Sequence, residues 1–350
     1  MRGNTFGNIL TLTTFGESHG VALGAIVDGC PAGLPVTLED IQHQLNRRRP
    51  GQSKITTGRA EGDRAEILSG VFEEATLGSP ICVVVRNHDA RSKDYDPAYF
   101  RAGHADRVWQ DKYGRRDWRG GGRASGRETI GRVIGGVFAR KILPPGVTIT
   151  GFTRQVGTIR AEDLPDTLTE DFVDQFATRC PDAEADARIT EDLLRCKEEG
   201  DSRGGIAEIW VDGLPRGLGE PVFHKAKNLL TNAVMSVGAV VGATLGDAHH
   251  DAELPGKLFH QGVSGPGADA GISPAANGIQ GGITNGERVR LVVYFKPAST
   301  VGSMAKKGRH DPCIIPRAIP VLESMIALTL ADLYLTSRLD RLLVPSSEST

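Results

Sequence analysis

The chain has 350 residues, 39% hydrophobic and 24% charged, enough to bury a substantial core. Its 41 basic and 43 acidic residues leave a formal charge of −2, so no whole-molecule field draws it to nucleic acid or to an anionic membrane. The five cysteines are scattered and form no C-x-x-C pair, which argues against a disulfide framework or a zinc ribbon and fits a reducing cytoplasm.

In chain order, "MRGNTFGNIL" lacks the apolar centre of a secretion signal. Thr37, followed by Glu39, Asp40, Ile41 and Leu45, opens a helix that Pro50-Gly51 closes after Arg47, Arg48 and Arg49. "ICVVV" (81–85) reads as a strand. Ser125-x-x-Glu128 is a capping box at the head of a helix running to about Leu143, where Pro144-Pro145 stops it; Gly131 and Gly135 inside it admit a close neighbour. "VTITGF" (147–152), "GIAEIWV" (205–211) and "RVRLVVYF" (288–295) are further strands. Residues 222–245 and 319–339 are apolar on more than one face and read as central helices. The stretch 314–335 carries Arg317, Glu323 and Asp332, which argues against a bilayer span. With no repeat and no linker, the expectation is one α+β domain over residues 1–343, with 344–350 as a disordered tail.

The unusual chemistry lies in the loops. Residues 119–129, "RGGGRASGRET", hold three arginines among four glycines. A single-stranded nucleic-acid tether would repeat the Arg-Gly unit and interleave aromatics, whereas only Trp118 is near and the unit does not recur. A helix start at Ser125 offers free N–H groups, the glycines let a ligand come close, and Arg101, Arg123 and Arg127 supply forked donors. That is an anion pocket for phosphate or carboxylate. His19 in "FGESHG" and His104 in "RAGHAD" sit in small-residue loops and are candidates for proton transfer near neutral pH. His249 and His250, beside Asp247 and Asp251, do not suggest a metal site, because consecutive residues rarely face one ion and no second cluster completes the shell. The His310-Asp311-Pro312 step is either an ordinary turn or part of the chemistry. The residues alone describe a cytosolic enzyme with a multi-anion pocket and acid/base histidines.

These same segments resemble chorismate synthases. "TTFGESHG" (13–20), "RRRPG" (47–51), "GHAD" (103–106), "RGGGRASGRET" (119–129), "GDS" (201–203), "GLPRGLGEPVF" (213–223), "GGITNGE" (281–287) and "KGRHDPCIIPRA" (307–318) occur in the family's order along the chain. The resemblance implies a β-α-β sandwich with central helices between antiparallel sheets, assembled as a homotetramer. It implies a carbon–oxygen lyase of aromatic amino acid biosynthesis, the last step of the shikimate pathway. There 5-enolpyruvylshikimate 3-phosphate loses phosphate and a ring proton to give chorismate, with reduced FMN required although no net redox change occurs. NADPH enters only as a source of reducing equivalents, used by this chain or by a separate flavin reductase; with no extra reductase domain visible, the expectation is the separate reductase. A divergent paralogue that binds flavin or phosphorylated ligands is the competing reading.

By resemblance, His19 protonates the departing phosphate, His104 protonates or stabilises the reduced flavin, and Asp311 assists removal of the ring proton with Ser18 and Ser125 as relays. Arg48, Lys54, Arg101, Arg127 and Arg309 surround the substrate anions. Arg123, Ala124, Ser125, Gly238, Ala239, Gly281, Lys296, Pro297, Ala298, Ser299, Thr300 and Arg309 match flavin-contacting positions. The chain departs from the family where S-I-N-A becomes "SVGA" (236–239), where N-A-G-G becomes "AANG" (275–278), and in a short connection from "KPAST" to "GRHDP". Gly238 brings no side-chain amide to the flavin.

Overall fold

A computed structural model describes residues 3–51, 55, 62–87, 96–262, 264–267, 271–302, 305 and 311–340. One antiparallel sheet is built from β1 (Thr5–Phe6), β2 (Thr11–Phe15), β3 (Ala22–Asp28), β4 (Ala65–Ser69) and β7 (Ile81–Arg86), in the order β1-β2-β3-β7-β4. A short hairpin of β5 (Val71–Phe72) and β6 (Ala75–Thr76) precedes its fourth member. The second antiparallel sheet has the order β11-β14-β10-β8-β9, from β8 (Thr148–Val156), β9 (Ile159–Arg160), β10 (Gly205–Asp212), β11 (Val240–Leu245) and β14 (Val289–Phe295). A hairpin of β12 (Ile279–Gln280) and β13 (Ile283–Thr284) lies beside it in sequence.

The helices are α1 (Leu38–Arg48), α2 (Asp106–Tyr113), α3 (Thr129–Ile142), α4 (Glu170–Val173), α5 (Ala183–Glu199), α6 (Ala226–Met235), α7 (Ala248–Glu253), α8 (Gly256–Phe259) and α9 (Ile315–Ser337). α3 lies on the first sheet. A Cβ added at Gly131 would stand 2.7 Å from Thr14 Cγ2, and one at Gly135 would stand 2.8 Å from Leu12 Cδ1, so both glycines admit the close neighbour expected of them. α9 lies on the second sheet, where a Cβ at Gly151 would meet Ile319 Cγ2 at 2.9 Å. The two helices touch each other at Gly136, whose added Cβ would fall 2.4 Å from Ser324 Cβ. The layers therefore run sheet, helix, helix, sheet, and the central-helix sandwich is the observed architecture. Its core is contiguous: Leu12, Leu23 and Val83 of one sheet, Ile134 and Phe138 of α3, Ile319 and Ile326 of α9, and Ile209 and Val293 of the other sheet belong to one buried cluster.

Thr37 caps α1 as the sequence indicates, its Oγ1 accepting from Asp40 N at 3.1 Å while Asp40 Oδ2 accepts from Thr37 N at 2.9 Å. At Ser125 the capping box does not form. Ser125 Oγ accepts from Arg127 N at 3.4 Å and caps only the short turn Gly126–Glu128, because Glu128 is engaged by Thr14 Oγ1 (2.9 Å) and Arg132 Nε (2.9 Å). The expected helix over 222–245 is also corrected. α6 ends at Met235, Ala239 turns the chain at φ +68°, and the β-branched run that follows pairs with β14 as β11. The helix expected at 319–339 starts earlier, at Ile315, with Pro316 in its first turn, where a missing N–H costs no hydrogen bond. It is long and apolar enough for a membrane span by composition, yet it is enclosed by protein.

Candidate active site

Two histidine loops meet across the glycine run. The β2–β3 connection carries Ser18 and His19, both buried. Ser18 N donates to Gly122 O (3.3 Å) and Ser18 Oγ donates to Arg119 O (3.4 Å), while Asn87 Nδ2 holds the loop's other side through Gly20 O (2.9 Å). Gly120, Gly121 and Gly122 all have positive φ, at +64°, +91° and +53°, a run that residues with a Cβ rarely adopt. An added Cβ at Gly120 would lie 2.5 Å from His19 Cδ2 and 2.7 Å from Ser18 Oγ; at Gly121 it would lie 2.8 Å from Arg101 Nη2 and 3.1 Å from His104 Cε1. Two adjacent glycines thus separate His19 from His104 by little more than a strip of backbone.

His104 stands in the loop before α2. Its Nδ1 is 3.0 Å from Asp106 Oδ1 and 3.1 Å from Arg101 Nη2, and Arg101 grips Asp106 with two bonds of 2.8 and 2.9 Å. Burial lowers the His104 pKa below its usual value; the Arg101 and Lys296 charges add to this and the Asp106 carboxylate opposes it. Burial acts to raise the Asp106 carboxyl, but the Arg101 hydrogen bonds and the His104 charge outweigh it and hold the group down to about 2. The 296–300 segment closes on this loop: Lys296 Nζ donates to Ser299 Oγ at 2.8 Å, and Ser299 Oγ donates to Gly103 O at 2.9 Å. Lys296 N donates to Ala239 O (3.0 Å), joining the 236–239 turn to the same wall, and Ser202 Oγ donates to Ala298 O (2.9 Å).

A third group is wholly buried. Arg48, at the end of α1, donates from Nε to Thr129 Oγ1 (3.0 Å), from Nη2 to Gly126 O (2.5 Å) and from Nη1 to Asp63 Oδ2 (3.2 Å). Arg127 donates from Nη1 to the other Asp63 oxygen (3.0 Å) and from Nε to Asn87 Oδ1 (3.0 Å). Two guanidiniums share one carboxylate, one on each oxygen. Burial, with the Arg317 and Arg127 charges, pulls Arg48 down to about 9 against the attraction of Asp63 and Asp311. Asp311 accepts from Arg317, whose Nε donates to Arg48 O at 3.3 Å.

The structure thus brings together Ser18, His19, Arg101, His104, Lys296 and Ser299 around the glycine loops, and Arg48 and Arg127 around Asp63, with Asp311 linked to Arg48 through Arg317. Ser125 lies at the joint between Arg123 and Arg127. The Arg123 side chain turns to β2, donating to Thr14 Oγ1 (2.7 Å) and Thr14 O (3.1 Å). Gly281 turns the β12–β13 hairpin, which docks on the start of α6 through Ala226 N to Gly282 O (2.7 Å). Lys54, Arg309 and His310 lie outside the described residues. His249, at 88% side-chain exposure, and His250 are on the surface. Among the described residues, the sequence reading missed Asp63 and the grip of Asp106 on His104.

The chorismate synthase family model matches residues 10–335. The chain belongs to the chorismate synthase family. A chorismate synthase from a Synechococcus species is 47% identical, with 94% of this chain and 92% of that protein covered. The one from Bdellovibrio bacteriovorus is 45% identical over 98% of this chain and all of its own length. A crystal structure of a chorismate synthase superposes with a TM-score of 0.77 at 31% identity, covering 95% of this chain and 93% of its own.

Proposed function

We propose that this chain converts 5-enolpyruvylshikimate 3-phosphate to chorismate, breaking the ring carbon–oxygen bond to phosphate and a ring carbon–hydrogen bond in a 1,4-elimination. The observation that carries the reading is the placement of His19 and His104 on either side of Gly120 and Gly121, beside two buried arginines that share one carboxylate. A substrate with one phosphate and two carboxylates suits a pocket with several guanidiniums. Arg48, Arg101 and Arg127, with Lys54 and Arg309, bind these anions. His19 delivers a proton to the departing phosphate. Asp311, aimed by Arg317, assists removal of the ring proton, with Ser18 and Ser125 as relays.

Reduced FMN is the cofactor of this reading, and the donor set fits it. An added Cβ at Gly126, Gly238 or Gly281 meets no atom within 4 Å, which leaves main chain open to a ligand, and Lys296 adds a cation beside Ser299. The chemistry that reduced FMN would supply when bound is electron density toward the breaking carbon–oxygen bond, with no net redox change. Residues 296–300, Arg123, Ala124, Ser125, Ala239 and Arg309 would hold it, and His104 would protonate or stabilise it. The enzyme acts as a cytoplasmic homotetramer supplied with reduced flavin by a separate, NADPH-dependent reductase. Phe223 and Val222, 82% and 61% exposed, are apolar surface that subunit contacts would cover.

The test is anaerobic incubation with chemically reduced FMN and 5-enolpyruvylshikimate 3-phosphate, following chorismate absorbance and phosphate release. Tight flavin binding without chorismate would overturn the proposal in favour of a divergent flavin-binding paralogue. Light scattering after gel filtration tests the tetramer.

A further inference from the structure

We propose that Asp63 is a positioning residue for substrate, its single carboxylate fixing the spacing and aim of Arg48 and Arg127. This rests on the reading that those two arginines hold substrate anions. Each Asp63 oxygen takes one guanidinium, at 3.2 and 3.0 Å, and the three side chains are 0–4% exposed. Arg48 hangs from α1, Arg127 precedes α3, and Asp63 lies just before β4, so the carboxylate ties three separate pieces of chain at one point. Arg48 is also held by Thr129 and Gly126, and Arg127 by Asn87, and these neutral groups do not bridge the two guanidiniums. Without Asp63, the repulsion between the Arg48 and Arg127 charges loses the carboxylate that bridges them, and the two guanidiniums move apart.

The backbone adds an independent sign. Asp63 has φ +40°, a left-handed conformation that costs a residue with a Cβ stability and persists where the surroundings over-determine it. The two ion pairs fix its side chain, and Gln42 Nε2 donates to its backbone carbonyl at 3.3 Å. Asp63 also opposes the forces that strip charge from Arg48. Arg48 is faced by the cations Arg317 and Arg127 and by the anions Asp63 and Asp311, and burial already weakens its hold on the proton.

Asp63→Asn keeps one acceptor and turns an amide donor against the other guanidinium. With the full chain, reduced FMN and 5-enolpyruvylshikimate 3-phosphate, KM rises about tenfold or more while kcat stays within about threefold. The alkaline limb of KM moves to lower pH, because Arg48 loses an anion that keeps it charged; a merely structural residue would leave that limb in place. An unchanged KM overturns the proposal. So does a lowered KM, which would make Asp63 a competitor for the ligand's place. Asp63→Glu serves if the first variant does not fold: it keeps the charge but displaces it by a methylene, so KM rises with the alkaline limb at the wild-type pH, and a wild-type KM refutes the idea. Arg48→Ala and Arg127→Ala separate the two levels. If neither raises KM, the substrate role of the arginines fails and the proposal falls with it; if both do and Asp63→Asn does not, the proposal alone fails.

Discussion

Gly120→Ala tests whether the glycine run shapes the site or only turns the chain. The new Cβ would stand 2.5 Å from His19 Cδ2, 2.6 Å from His19 Nε2 and 2.7 Å from Ser18 Oγ, so His19 has to retreat by about 1 Å to reach ordinary contact near 3.5 Å. A displacement of that size at a catalytic group costs on the order of a hundredfold in turnover. The φ of +64° adds strain of roughly 1 to 2 kcal/mol for any residue with a Cβ. Gly146→Ala isolates the second effect, since Gly146 has φ +90° but nothing within 4 Å of an added Cβ. Urea unfolding should show similar losses of stability in both variants, and initial rates with reduced FMN should fall only in Gly120→Ala. Equal turnover in the two variants would refute the steric argument and detach Gly120 from His19.

Three other outcomes are expected. His19→Ala lowers kcat by about a hundredfold or more with folding intact, as for a lost general acid; wild-type turnover removes His19 from the reaction. Asp106, held at about 2 in the folded state, stabilises the protein above its unfolded pKa and loses that contribution as pH falls from about 4 toward 2, by at most about 2 kcal/mol. Urea midpoints over that range should therefore fall less steeply in Asp106→Asn than in the wild type. Arg47→Ala strands Glu323, which is fully buried and takes a 2.6 Å bond from Arg47, and should cost about 3 to 5 kcal/mol in urea unfolding; a loss below about 1 kcal/mol would mean that Arg140 compensates.

Local rules in the sequence found what local rules build. The Thr37 cap, the four strand runs and α3 with its glycines depend on neighbours a few residues away, and they were legible. Residues 222–245 misled because apolar residues on more than one face do not distinguish a buried helix from a strand, and the break depends on one left-handed turn at Ala239. The triple arginine was ambiguous for a related reason. Successive helical residues point about 100° apart, so Arg47 enters an ion cluster with Glu323 and Asp174 while Arg48 enters the candidate site and Arg49 stays exposed. Asp63 gave no signal at all. It is an ordinary acidic residue in "EGDRAE", and only the packing of α1 and α3 against the first sheet places it between two arginines.

Asp332, near the end of α9, accepts hydrogen bonds from the backbone amides of Asn8, Ile9 and Leu10, at 3.0, 2.7 and 3.0 Å. Those amides lie just ahead of the strand that leads into His19, more than 320 residues earlier in the chain. A nascent chain still lacking α9 therefore has three adjacent amides waiting for an acceptor, and Arg47 waiting for Glu323. Because β2 is synthesised before α9, this lock on the strand that leads to His19 closes only after the chain has been made as far as Asp332.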